Sequence, residues 1–138
     1  MIAPPGVHEV NFPTVTAGDP GRIAITFPGT TVDNRSDPTR PWNSYVVVSS
    51  NALDTDPVFL SNIANSPDDP VHRGECTGRC AGMFDFLDIQ VSPADGTAWA
   101  SAVDTCTGDC VTNPSDPADS ARGIAIQALN VPLRTVTR

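Results

Sequence analysis

Short β-rich runs alternate with polar turn clusters along the chain, and the alternation repeats. Residues 12–27 enter the turn Asp19-Pro20-Gly21 from one β-rich run and leave it as another. Residues 86–102 do the same around Ser92-Pro93-Ala94-Asp95-Gly96, with one residue inserted. This is the pattern of a hairpin. The first copy predicts strands over 9–17, 22–29, 43–50 and 58–63, with a turn at 18–21. Within it, Tyr45-Val46-Val47-Val48 is a continuous run and predicts a strand buried on both faces. The second copy predicts strands over 84–91, 97–103 and 123–129, the last from the alternation of Ile124, Ile126 and Ala128. A further strand is expected over 131–137.

The expected fold class is therefore all-β, as two four-stranded antiparallel sheets in a single β domain. A first blade-like repeat covers 7–65 and a second covers 66–138. Long loops join the second and third strands of each copy and link the two copies. Recognition is expected on the edge where they gather.

Composition supports this class. At 138 residues with 39% hydrophobic content, the chain is long enough for one domain with its own core. Fourteen prolines and ten glycines forbid long helices and favour short strands joined by turns. No apolar stretch has the length of a bilayer span, and residues 1–6 lack the basic and apolar regions of a signal peptide. A net charge of -8 would repel phosphate backbones and anionic membrane surfaces, so neither nucleic acid nor membrane is an expected partner. Every basic residue is an arginine.

Four cysteines stand as Cys76-x-x-x-Cys80 and Cys106-x-x-x-Cys110, in loops that contain Thr-Gly. An even count in turns suits disulfides formed in an oxidising compartment, and four cysteines allow three pairings. Zinc ligation and free thiols are the rival readings.

The stretch Asp69-Pro-Val-His-Arg-Gly-Glu-Cys76, then Cys80, then Gly82-Met-Phe-Asp-Phe-Leu-Asp-Ile89 and the turn that follows resembles the final part of secreted bacterial sialidase-like proteins with BNR (Asp-box) repeats. In the Asp-box pattern Ser-x-Asp-x-Gly-x-Thr-Trp, Ser92, Gly96 and Trp99 fall in register. Asp95 sits one place late, and Ala98 replaces the threonine. The resemblance runs from about residue 7 to 126 and implies about two blades of a six-bladed propeller. The chain would then be a fragment of a secreted sialidase-like protein, with glycan recognition or glycoside hydrolysis residing in the full propeller and the chain inactive alone. The remaining blades, or self-association, would cover its sheet faces. A self-packed β-sandwich is the alternative architecture, and a non-catalytic extracellular binding or structural module is the alternative function. A glycan or sialoside is the partner implied.

No motif assigns catalytic residues. A sialidase of this kind uses a tyrosine nucleophile, but the only tyrosine, Tyr45, opens the buried Val run and is expected in the core. The substrate-binding candidates are His72 and Arg73, in the loop entering the second copy, with Asp85 and Asp88 on its first strand. Arg35, Arg40 and Arg79 also lie in the long loops that would hold an anionic sugar. Plainer roles as loop braces and backbone partners compete at each of these positions. No metal site and no cofactor is expected, apart from calcium at acid-rich loops such as those around Asp33, Asp54, Asp68 and Asp116.

Overall fold

The computed structural model describes residues 2–74, 87–113 and 122–136. Nine strands and one short helix follow one another as β1 (Glu9–Val10), β2 (Thr14–Ala17), β3 (Ile23–Thr30), β4 (Pro41–Ser49), β5 (Leu60–Ile63), β6 (His72–Arg73), β7 (Asp88–Val91), β8 (Thr97–Asp104), α1 (Asp109–Thr112) and β9 (Arg122–Pro132) among the described residues. The class is all-β and every pairing is antiparallel.

The first sheet has six strands in four lanes. β1 and β2 share one flank of β3, while β5 and β6 share the outer flank of β4. The first lane breaks at residues 11–13, where Phe12 takes a φ of 44° and Pro13 has no N–H to give to the ladder. The predicted strand over 9–17 is therefore two short ones. The predicted four-lane meander is present nonetheless.

The second sheet corrects the expectation. Among the described residues it has three strands, β7-β8-β9, rather than four. Val131 and Pro132 end β9 instead of starting a new strand, and 133–136 crosses to the hairpin turns. The Asp19 N–H donates to the Leu133 carbonyl at 2.7 Å, and the Leu133 N–H donates to the Gly96 carbonyl at 2.7 Å. One strap thus holds the turns of both repeat hairpins. Asp19 also accepts from the Thr135 N–H and hydroxyl, each at 2.8 Å, and these bonds hold its carboxyl below the ordinary carboxylate range.

The sheets pack face to face. Alternation sends Val46 and Val48 of β4 toward the second sheet, where they meet Ile89, Ala98, Ala100, Ala128 and Leu133. Tyr45 and Val47 point the other way, into a smaller cluster with Ile25 and Phe27 that Ala3, Val7 and Phe59 cover. Tyr45 stacks on Phe27 with centroids 5.5 Å apart. The Val run is thus buried on both faces, as its composition predicts, and each buried valine contributes about 1.5–3 kcal/mol. Residues 128–131 bulge out of β9 opposite Ala98 alone, with Leu129 and Asn130 at φ 47° and 49°. The bulge drives Ala128, Leu129 and Val131 into the space between the sheets.

Candidate functional site

Strand β8 reverses the usual allocation of side chains. Ala98, Ala100 and Ala102 point inward and are buried, whereas Trp99 and Ser101 point outward. The space opposite is already filled by Val46, Val48, Ile89, Leu133 and the β9 bulge, so an indole cannot enter it. Trp99 is therefore 45% exposed at the centre of an open sheet face.

The register places polar groups around it. Gln90 of β7 lies opposite Trp99 on one side and Gln127 of β9 on the other, with Asp88, Ser101 and Ala125 forming the next row. The Gln90 amide donates to both Asp88 carboxylate oxygens at 3.2 Å, and the Gln127 amide donates to the Thr97 hydroxyl at 3.2 Å. The Asp88 N–H donates to the Ser101 hydroxyl at 3.1 Å. Two oriented glutamines thus flank a flat aromatic surface. Of the residues singled out from the sequence, Asp88 belongs to this face, whereas Trp99 appears there only as an Asp-box marker. The alternation of alanine with larger residues along β8 is the signal that could have placed Trp99 outside.

His72 and Arg73 lie elsewhere, in β6 against Trp42 and Pro41 of the first sheet. The structure does not bring them together with Asp88, and Asp85 lies outside the described residues. Arg73 donates from Nε to the Cys110 carbonyl at 3.1 Å and from Nη1 to the Thr39 carbonyl at 3.3 Å, so it braces two loops. The loop it holds is closed by the Cys106–Cys110 disulfide, which selects one arrangement for that pair of cysteines. Cys76 and Cys80 lie outside the described residues, as does Arg79. Nearby, Arg40 is 1% exposed, donates to Glu9 Oε2 at 2.9 Å and stacks over Trp42 at 4.8 Å from the ring centroid. Arg35 reaches the same carboxylate from the surface.

The Thr105 hydroxyl lies 2.8 Å from His72 Nδ1 and 3.2 Å from the Val71 carbonyl, and it can donate to that carbonyl when His72 carries its proton on Nδ1. Burial, and then the neighbouring Arg40, push the His72 pKa down to about 4. The unfolded chain protonates this histidine near its ordinary value, before the folded chain does. Stability should therefore fall as pH drops from about 6.5 to about 4, with a slope of at most about 1.4 kcal/mol per pH unit, and the histidine contribution should flatten below that range. Hydrogen bonds from Thr135, Thr39 and Thr97 lower the carboxyl pKa values of Asp19, Asp37 and Asp95, so the stability these acids contribute is present above the ordinary carboxylate value and is lost as pH falls past it. Urea unfolding at half-unit steps checks this: a profile from pH 6.5 to 4 identical in wild type and His72→Gln would remove the effect.

Tyr45 is buried, and burial raises its hydroxyl pKa, the reverse of what a nucleophilic phenolate requires. Acids in the predicted calcium loops are engaged in turns: Asp37 accepts from the Thr39 N–H and hydroxyl, and Asp54 accepts from the Asn51 amide. Among the described residues, no group of three or more His, Cys, Asp or Glu side chains could hold a metal ion. No described helix is long and apolar enough to cross a membrane. Two concavities lie apart from these groups. An apolar groove of about 480 Å³ runs past Ile2, Val15 and Phe27, and a cleft of about 370 Å³ beside the strap is lined by Arg22, Asp95 and Arg134. No known family, curated protein or solved structure matches the chain.

Proposed function

We propose that this protein is a non-catalytic, extracellular β-sandwich module that binds a neutral glycan on the outer face of its second sheet. The observation that carries the reading is Trp99, exposed in the central strand with Gln90 and Gln127 opposite it in register. The face of an indole carries negative π density and attracts the polarised C–H groups of a pyranose ring. Flanking amides, with Asp88 and Ser101, supply bonds to the hydroxyls around the ring edge. The Gln90 and Gln127 carbonyl oxygens accept no bond within the protein among the described residues, which leaves them for sugar hydroxyls.

Charge selects the sugar. Among the described residues this face carries Asp88 and no arginine, in a chain of net charge -8, so an uncharged oligosaccharide fits better than an anionic sialoside. The resemblance to sialidase-like repeats supports a glycan as the ligand class, while the buried Tyr45 supports binding without turnover. The Cys106–Cys110 disulfide supports an oxidising, extracellular setting.

The test is calorimetric titration of the full chain with cellohexaose, xylohexaose and sialyllactose. At least one neutral oligosaccharide should bind, with sialyllactose much weaker. Trp99→Ala should weaken binding tenfold or more, about 1.4 kcal/mol, with an unchanged Tm. Trp99→Phe should retain part of the affinity. Binding that survives Trp99→Ala, a preference for the sialoside, or turnover of a fluorogenic sialoside would overturn the reading.

A further inference from the structure

We infer that the Asp69–Pro70 peptide bond is a self-cleavage site, at which the Asp69 side chain cuts its own backbone in mild acid. An aspartate before proline makes a backbone bond acid-labile for two reasons. Its carboxylate can close a small ring onto its own carbonyl carbon, and the tertiary proline nitrogen takes up a proton more readily than a secondary amide. The pair occurs at Asp19, Asp37, Asp56, Asp69 and Asp116, and the fold treats these copies differently. Asp19 Oδ2 accepts from the Thr135 N–H and hydroxyl, and Asp37 Oδ1 accepts from the Thr39 N–H and hydroxyl. A lone pair engaged in this way is a poorer nucleophile. Asp56 lies in an exposed loop, and Asp116 lies outside the described residues.

Asp69 is held ready to react. Its Oδ1 is buried and accepts no hydrogen bond among the described residues, an arrangement that folded proteins otherwise avoid. Its Oδ2 is anchored 3.4 Å from Arg122 Nη2. The Asn65 side-chain amide donates to the Asp69 backbone carbonyl at 2.9 Å, at the oxygen where negative charge gathers when the carbonyl carbon is attacked. Asn65 is itself fixed, since its Oδ1 accepts from the Ser44 N–H at 2.8 Å and its amide also donates to Asn43 Oδ1 at 2.8 Å. Both flanks of the bond are pinned as well. The Asp69 N–H donates to the Ser66 carbonyl and the Val71 N–H to the Trp42 carbonyl, each at 2.9 Å. Nucleophile, charge-stabilising donor and scissile carbonyl are thus held together before reaction.

In the step itself Oδ1 attacks the Asp69 carbonyl carbon while a hydronium ion from solvent protonates the Pro70 nitrogen. The C–N bond breaks, its electron pair stays with nitrogen, and Pro70 leaves as a secondary amine. The cyclic anhydride that remains takes up one water at the partly exposed Asp69. It opens to the side-chain carboxylate and a new α-carboxylate, with the protons returned to solvent. The cut falls between β5 and β6 and separates residues 1–69 from 70–138. The inter-sheet core, the β4–β6 ladder and the strap bond from Asp19 to Leu133 then hold the two pieces together.

The experiment incubates the full chain at about pH 5 and about pH 7 in heavy-oxygen water, native and in concentrated urea, and weighs the products by denaturing mass spectrometry. Circular dichroism checks that the native samples are folded. At the lower pH the native chain should yield 1–69 and 70–138 at least about tenfold faster than any cut at the other Asp–Pro bonds, and faster than at the higher pH. Part of the heavy oxygen should enter the Asp69 side chain, where only the anhydride route puts it. Urea should remove the preference for this bond, Pro70→Ala should suppress the cut, and Asn65→Ala should slow it about tenfold or more. If Asn65→Ala fails to fold, the native and urea samples of the wild-type chain decide. No cut after Asp69, cutting spread evenly over the Asp–Pro bonds of the native chain, the same preference in urea, or heavy oxygen confined to the α-carboxylate would each overturn the inference.

Discussion

Gly96→Ala is expected to lower the unfolding free energy by about 3 kcal/mol, close to 12 °C in Tm for a domain of this size. Two independent costs act at this position. Gly96 has a φ of 73°, a left-handed conformation that costs an L side chain roughly 1–2 kcal/mol. A Cβ there would also overlap the Arg134 carbonyl oxygen, which is backbone and cannot swing away. The strap could retreat only by stretching the Leu133 and Arg134 N–H bonds to the Gly96 carbonyl, at 2.7 and 3.2 Å.

Three companion substitutions separate the causes. Gly18→Ala meets the Leu133 carbonyl without a left-handed φ, so it should show the overlap alone, about 1–3 kcal/mol. Gly6→Ala has a φ of 87° but open space around it, and should show the backbone cost alone. Gly123→Ala has neither and should be neutral or slightly stabilising. Urea unfolding of the four variants provides the check. A Gly96→Ala loss no larger than that of Gly6→Ala would mean that the strap does not hold the turns.

Arg40→Met should be comparably damaging, by on the order of 3 kcal/mol. The guanidinium is almost wholly inaccessible, and its Nη1 is the closest cation to Glu9. Removing it leaves a partly buried carboxylate with only the exposed Arg35, whose Nε is 3.5 Å away. Methionine keeps much of the packing over Trp42 but not the charge. The buried Nε of Arg40 has no hydrogen-bond partner, so the ion pair is itself an imperfect arrangement. Removing both charges in Arg40→Met with Glu9→Leu should therefore recover much of the loss, because an uncharged pair leaves nothing unsatisfied. A loss below about 1 kcal/mol in the single variant, or no recovery in the double, would count against this account.

The local elements were legible because their causes are local. Asp19-Pro20-Gly21 and Ser92-Pro93-Ala94-Asp95-Gly96 read as turns, and both lie between paired strands. Tyr45-Val46-Val47-Val48 read as a doubly buried strand for the same reason: each side chain reports its own face. What escaped the sequence depends on distant partners. Residues 131–137 carry enough Val and Thr to suggest a strand, but 133–136 serves the Gly18 and Gly96 turns, for which no nearby residue gives a signal. The β9 bulge is set by Leu129 and Asn130 in left-handed conformations, which side-chain type alone does not demand.

The site shows the same division. Asp88 was visible as a strand acid, and the buried setting of Tyr45 was visible from the Val run. Trp99 was visible as a residue but not as a surface, because its outward direction follows from the filled space opposite Ala98 and Ala100. In the sequence, His72 and Arg73 stand out as adjacent basic side chains in a loop. Their bonds to Thr105, Cys110 and Thr39 give them bracing roles that loop sequence does not reveal.

The strap also sets a timetable for synthesis. Thr135, which bonds Asp19, is made 116 residues after it. At about 5–20 residues per second, Asp19 is made roughly 6–23 s before its partner exists. During that interval the inward faces of Ala24, Val46 and Val48 have no second sheet to rest on, although their own sheet can already pair. The nascent protein must therefore survive as a half-sandwich, and the need for a chaperone should be greatest when synthesis pauses between the two hairpins.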